Sequence, residues 1–175
     1  LLMGHTRFAT HGSVSWPNAH PFELGHIVGA HNGVYPELFK RNDDVTDSRV
    51  IFQQLNKLGA PAGLRYINEK FTGDMALTFI NKSNGTFNLF TNGGRSLYIG
   101  KTGHIWVWAS DERYLKKVAS NWQYLQPVPT DTLVSLRLGT ERWKATEYEY
   151  DRSNPHSKQV CLPRSSYEDG GHIDT

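Results

Sequence analysis

The spacing of apolar positions changes twice along the chain. Leu1 to Phe8 reads as a strand, and "HIVGAHNG" (26–33) as a short apolar strand closed by an Asn-Gly turn. "YPELFKR" offers one helical turn or two. From Thr46 the period lengthens. Val50, Ile51, Leu55 and Leu58 fall on one stripe of a helix over 46–59, with Thr46 as its cap, Asp47 in its first turn and Gly59 as its stop. "APAGLRYINEKF" continues as a second helix through Leu64, Ile67 and Phe71. The period then shortens to two. "DMALTFIN" (74–81) places Met75, Leu77 and Phe79 on one strand face, and "TFNLFTN" returns as its hairpin partner. "SLYIG" and "HIWVWAS" form a further strand pair. "SDERYLKKVAS" (110–120) is a short helix capped by Ser110, and "DTLVSLRL" and "RWKATEYEY" are the last strands.

This order is strand, strand, two helices, four strands, one helix, two strands. It predicts an α+β layered domain rather than alternating βαβ units. Near Asp151 the composition turns polar and rich in Pro and Gly. The chain therefore divides into a domain over 1–150 and a polar tail over 151–175, expected to be extended or disordered unless a partner holds it.

Composition narrows the function. With 19 basic and 17 acidic residues and no run of Lys or Arg, nucleic acid is not an expected partner. No stretch of roughly 18 apolar residues exists, and no signal peptide is visible, so a membrane role and secretion are not expected. The lone cysteine, Cys161, excludes a disulfide within the chain and fits a cytoplasmic or otherwise intracellular setting.

Five of the eight histidines (His5, His11, His20, His26 and His31) lie early in the chain. Their spacing matches no zinc pattern, no cysteine accompanies them, and Arg7 would repel a cation beside His5. No metal and no cofactor is expected. "GGRSLYIGKT" misses the phosphate-loop spacing by one residue and sits between strands, so it reads as a glycine turn before a hairpin.

Four segments carry more chemistry: "GHTRFATHG" (4–12), "NAHPF" (18–22), "AHNG" (30–33) and "TDSRV" (46–50). Arg7 is a planar fork suited to a carboxylate. Asp47 is a counter-charge suited to an ammonium. Asn32 and Gly33 offer a side-chain N–H and an unobstructed backbone N–H, the parts of an oxyanion hole. Together they describe a site for an α-amino acid whose side chain carries a reacting carbonyl.

In this order the four segments resemble the class II glutamine amidotransferases, the N-terminal-nucleophile (Ntn) glutaminase domains, and look nearest to the glutaminase of glucosamine-phosphate synthase. The resemblance covers about residues 2 to 138. It implies a four-layer αββα Ntn-hydrolase sandwich of two antiparallel sheets, here lacking its first strand and helices. It implies that Arg7 binds the α-carboxylate of glutamine and Asp47 its α-amino group, and that Asn32 and Gly33 form the oxyanion hole. Phe8, Thr10, His11 and His20 would line or border the substrate pocket.

The family nucleophile is a cysteine at the mature N-terminus whose own α-amino group is the base. The family places it far ahead of the "GHTR" segment, where this chain has only Leu1, Leu2 and Met3, and Cys161 is internal. The expectation is a glutaminase domain whose nucleophile comes from outside these residues, with glutamine and an ammonia-acceptor (synthase) domain as partners. The 175 residues alone would be inactive. The alternative is a catalytically inactive fold serving as a binding or structural module in a larger assembly.

Overall fold

Thr46 starts the first helix. In the computed structural model its hydroxyl accepts the Arg49 N–H at 3.3 Å, capping α1 (Asp47–Leu58), and α2 (Ala60–Lys70) follows after Gly59. The model describes residues 1–7, 12–38, 45–140, 142–147 and, for the backbone alone, 164–168. Ile51, Phe52 and Leu55 of α1 and Leu64 and Ile67 of α2 are fully buried. Each such burial contributes about 1.5–3 kcal/mol, against about 1 kcal/mol for a cap. Packing therefore fixes the helices, and the cap sets where α1 begins.

The helices cover one face of a seven-stranded sheet. Its strands are β1 (Phe22–Leu24), β2 (Ile27–Val34), β3 (Asp74–Asn81), β4 (Thr86–Thr91), β8 (Thr132–Arg137), β9 (Trp143–Glu147) and β10 (Arg164–Glu168), in that spatial order and antiparallel throughout. Met75, Leu77 and Phe79 point to the helices as their period-two spacing predicts. Ala76 between them joins a second core against a three-stranded sheet ordered β6-β5-β7, made of β5 (Tyr98–Thr102), β6 (Ile105–Ala109) and β7 (Tyr124–Pro127). The large sheet is thus buried on both faces: one core under α1 and α2, the other between the sheets. α3 (Glu112–Val118) packs beside β6. This is the expected α+β sandwich of two antiparallel sheets.

Several local expectations need correction. Residues 1–7 are not in a strand: their backbone has no ladder partner among the described residues. Met3 instead packs on the core between the sheets and takes a weak hydrogen bond from the Thr78 hydroxyl at 3.9 Å. Asn32-Gly33 is not a turn. β2 runs through it to Val34, pairing Asn32 with Ala76 and Gly33 with Met75. The helical part of "YPELFKR" is a single 3-10 turn, Pro36–Leu38, and 39–41 lie outside the described residues. α3 is capped by Asp111 rather than Ser110. The Asp111 carboxylate accepts the Arg113 N–H at 2.8 Å, while the Ser110 carbonyl takes the Ser96 hydroxyl at 2.7 Å. β1 and β7 add strands that no apolar pattern announced. Within the polar tail, Arg164–Glu168 pairs with β9 as a strand.

Candidate active site

The chain segments carrying the four motifs meet at one cleft of about 540 Å³ at an end of the sandwich. Arg7, His20, Asn32, Gly33 and Asp47 all line it. Phe8, Thr10 and His11 lie outside the described residues.

Each of the five is set by its local chain. Asn32 and Gly33 stand near the end of β2, where alternation puts Asn32 toward the second sheet and Gly33 toward the helices. Gly33 has φ +150°, and a Cβ there would collide with the Asp74 carbonyl oxygen and lie 2.6 Å from His31 Nε2. Only glycine fits this step of the ladder. Asp47, the first residue of α1, is 6% exposed. Its carboxylate accepts the Tyr35 N–H at 2.8 Å and the Ser48 N–H at 2.7 Å. A carboxylate has about four acceptor positions, so these two bonds orient it without exhausting it.

Arg7 donates from Nη1 to the Ser13 carbonyl at 3.1 Å. That carbonyl also takes the Asn18 side-chain amide at 3.2 Å, and Arg49 reaches the Pro17 carbonyl at 3.2 Å. The loop after the "GHTR" segment is thereby tied to the N-terminal turn of α1.

His20 precedes a cis peptide to Pro21 and lies edge-on to Phe22 and His5. Its Nδ1 is 3.0 Å from His5 Nδ1, and its Nε2 is buried with no hydrogen-bond partner among the described residues. Burial above all, then the charges of His5, His31 and Arg7, pushes the His20 pKa down to about 3. Burial and Arg7 lower His5 as well. Both rings are therefore neutral near pH 7, one donating to the other. No three His, Cys, Asp or Glu side chains converge as metal ligands among the described residues.

The second sheet supplies the opposite wall. Arg95, from the loop after β4, pairs with the Asp74 carboxylate at 3.2 Å, and Ser96, Trp108 and Tyr114 stand near it on that wall. No motif marks Arg95, because only the β4–β5 connection brings it to Asp74 at the start of β3. The motifs also gave no sign of the partners of His31, although "AHNG" places that residue beside Asn32 and Gly33.

The geometry offers a forked cation, an oriented buried carboxylate and a strand step with an amide side chain, facing one cavity. That set suits a small zwitterion with a reacting carbonyl. No family model matches the chain. It is 34% identical over 125 residues to the glutamine–fructose-6-phosphate aminotransferase of Listeria monocytogenes, covering 62% of this chain and 21% of the relative. The chain spans about a fifth of the length of the curated relatives it matches.

Its fold superposes on a glutamine phosphoribosylpyrophosphate amidotransferase from B. subtilis, with TM-score 0.58 and 20% identity over 81% of this chain and 33% of that one. It also superposes on a glutamine aminotransferase class-II domain protein from Silicibacter pomeroyi, with TM-score 0.54 and 16% identity over 82% and 74%. No helix is long and apolar enough to cross a membrane among the described residues. By sequence the chain is thus similar to part of the glutamine–fructose-6-phosphate aminotransferases, and it shares the two-sheet fold of these amidotransferase structures.

Proposed function

We propose that the cleft binds L-glutamine and takes part in its hydrolysis to glutamate and ammonia. The observation that carries this reading is the convergence of Arg7, Asp47, Asn32 and Gly33 on one cleft. Arg7 takes the α-carboxylate in a charge-assisted pair, and Asp47 takes the α-ammonium. The carboxamide carbonyl then lies toward Asn32 and Gly33. A thiolate adds to the carboxamide carbon, and charge develops on the oxygen. The Asn32 side-chain N–H and the Gly33 N–H stabilise it. The nucleophile's own α-amino group, which took the thiol proton, returns it to the departing nitrogen, the C–N bond breaks, ammonia leaves, and water hydrolyses the thioester to glutamate.

The nucleophile belongs, in this reading, to an N-terminal cysteine outside these residues, and the ammonia passes to an acceptor (synthase) domain. His20 borders the substrate, while Phe8, Thr10 and His11, outside the described residues, are assigned to substrate binding by their motif alone. An intracellular setting agrees with the single cysteine of the chain.

The test is release of ammonia and glutamate from L-glutamine by the full-length protein. Arg7→Ala removes one charged hydrogen-bonding partner, worth about 1.5–3 kcal/mol, and should raise KM by about 10- to 150-fold. An Arg7→Ala protein with an unchanged KM contradicts the assignment. Binding of L-glutamine without ammonia release favours the inactive-module alternative.

A further inference from the structure

Behind Asn32, on the helix-facing side of β2, lies His31. It is 2% exposed and both ring nitrogens are engaged: Nδ1 is 2.9 Å from Ser48 Oγ, and Nε2 is 3.3 Å from the Asp74 carbonyl oxygen. A carbonyl only accepts, so Nε2 carries the proton and the Ser48 hydroxyl donates to Nδ1. Burial lowers the pKa of the ring and keeps it neutral, with Asp47 and the Asp74 carbonyl opposing more weakly, so the tautomer is fixed. Nε2 and the same Asp74 carbonyl also fill the space where a side chain at position 33 would stand. One ring thus joins β2, the first turn of α1 and the start of β3.

We propose that His31 is a positioning residue for the oxyanion pair: it locks the Asn32–Gly33 step of β2 against α1 and β3 and so fixes where the two donors stand. This rests on the glutaminase reading above. Asp47 leans on the lock only through a 3.3 Å contact with the Ser48 hydroxyl; the shorter bonds from the Tyr35 and Ser48 N–H groups orient its carboxylate without His31. Loss of His31 therefore displaces the oxyanion donors and leaves the ammonium counter-charge in place. An interaction that matters only as charge develops on the carbonyl oxygen appears in kcat and not in substrate binding.

The experiment measures kcat and KM for L-glutamine, and Kd for L-glutamate, on the full-length protein. The variants are His31→Asn, His31→Gln and Ser48→Ala, each checked for folding by circular dichroism. Asn puts an amide near the Nδ1 position and abandons the Asp74 carbonyl. Gln reaches the Nε2 position and can still donate to it. His31→Asn should lower kcat by about 10- to 100-fold, the scale of a displaced or lost oxyanion donor. Its KM and L-glutamate Kd should stay within about three-fold of wild type. His31→Gln should lose less.

If His31→Asn fails to fold, Ser48→Ala carries the same expectation of lowered kcat at constant KM. It leaves the imidazole and removes its Nδ1 partner, and although it also removes a longer Oγ contact with Asp47 Oδ1 at 3.3 Å, the Tyr35 and Ser48 N–H bonds to Asp47 stay in place. A folded variant with wild-type kcat overturns the proposal, as does a KM that rises in step with L-glutamate Kd at constant kcat. A wild-type protein that neither binds nor hydrolyses L-glutamine overturns the glutaminase reading and this proposal with it. An active wild type with indifferent variants overturns this proposal alone.

Discussion

Replacing Asp47 by Asn keeps the shape of the side chain and removes its charge and one acceptor. In the native site one oxygen takes the Tyr35 N–H at 2.8 Å and the other the Ser48 N–H at 2.7 Å, at a residue only 6% exposed. An amide presents one acceptor and two donors, so one of these backbone N–H groups loses its partner and faces another donor. A buried donor left unsatisfied costs about 1–3 kcal/mol. For a domain of this length, 1 kcal/mol shifts Tm by about 2–4 °C, so the variant should melt roughly 2–12 °C below wild type. Loss of the charge should weaken L-glutamine binding by a further 10- to 150-fold or so, the worth of a charged hydrogen bond. Thermal melting followed by calorimetric titration separates the two effects. A variant with wild-type Tm would refute the bonding assigned to Asp47. One with lowered Tm but wild-type glutamine affinity would refute its role toward the ammonium.

Gly33→Ala should be among the most damaging single substitutions. It puts a methyl group against the Asp74 carbonyl at a backbone φ of +150°, and overpacking alone costs about 1–3 kcal/mol; a melting curve matching wild type would contradict the geometry. Thr46→Ala should cost about 0.5–2 kcal/mol in urea titrations through loss of the α1 cap. Stability should also fall with acid. The folded His20 titrates near pH 3, below its unfolded value of 6.5, so the unfolded chain binds more protons in between. The stabilisation is present above pH 6.5 and is lost as pH falls toward 3. Tm should therefore drop between pH 7.5 and pH 5, and less steeply in His20→Asn.

What the sequence made legible follows from range. The helix over 46–59 was readable because its cap, stripe and stop are local, and α1 occupies Asp47–Leu58. The residues of the candidate site were readable because each sits in a short motif whose chemistry needs no knowledge of the fold, and Arg7, His20, Asn32, Gly33 and Asp47 do line one cleft. Strands decided by pairing were not readable. β1 and β7 have three and four residues, too few for a period to show, and exist because β2 and β5 offer them edges. Residues 1–7 show the converse, an apolar start with no ladder partner among the described residues. Asn32-Gly33 reads locally as a turn, yet the positive φ of Gly33 is used inside the ladder against Asp74. Ser110 and Asp111 are neighbouring capping residues, and the choice fell to Asp111 because its carboxylate reaches the Arg113 N–H. Arg95, and the Ser48 and Asp74 partners of His31, arrive by tertiary contact, so no local pattern carries them.

The central claim is that Arg7 and Asp47 hold the two ends of one amino-acid head group. Calorimetric titration of the full-length protein with L-glutamine and D-glutamine, beside the Arg7→Ala protein, tests it most directly. The account predicts saturable binding of the L-isomer, weaker binding of the D-isomer, and an affinity for L-glutamine lowered by about 10- to 150-fold when Arg7 is removed. Equal binding of both isomers, or L-glutamine binding indifferent to Arg7→Ala, would contradict it.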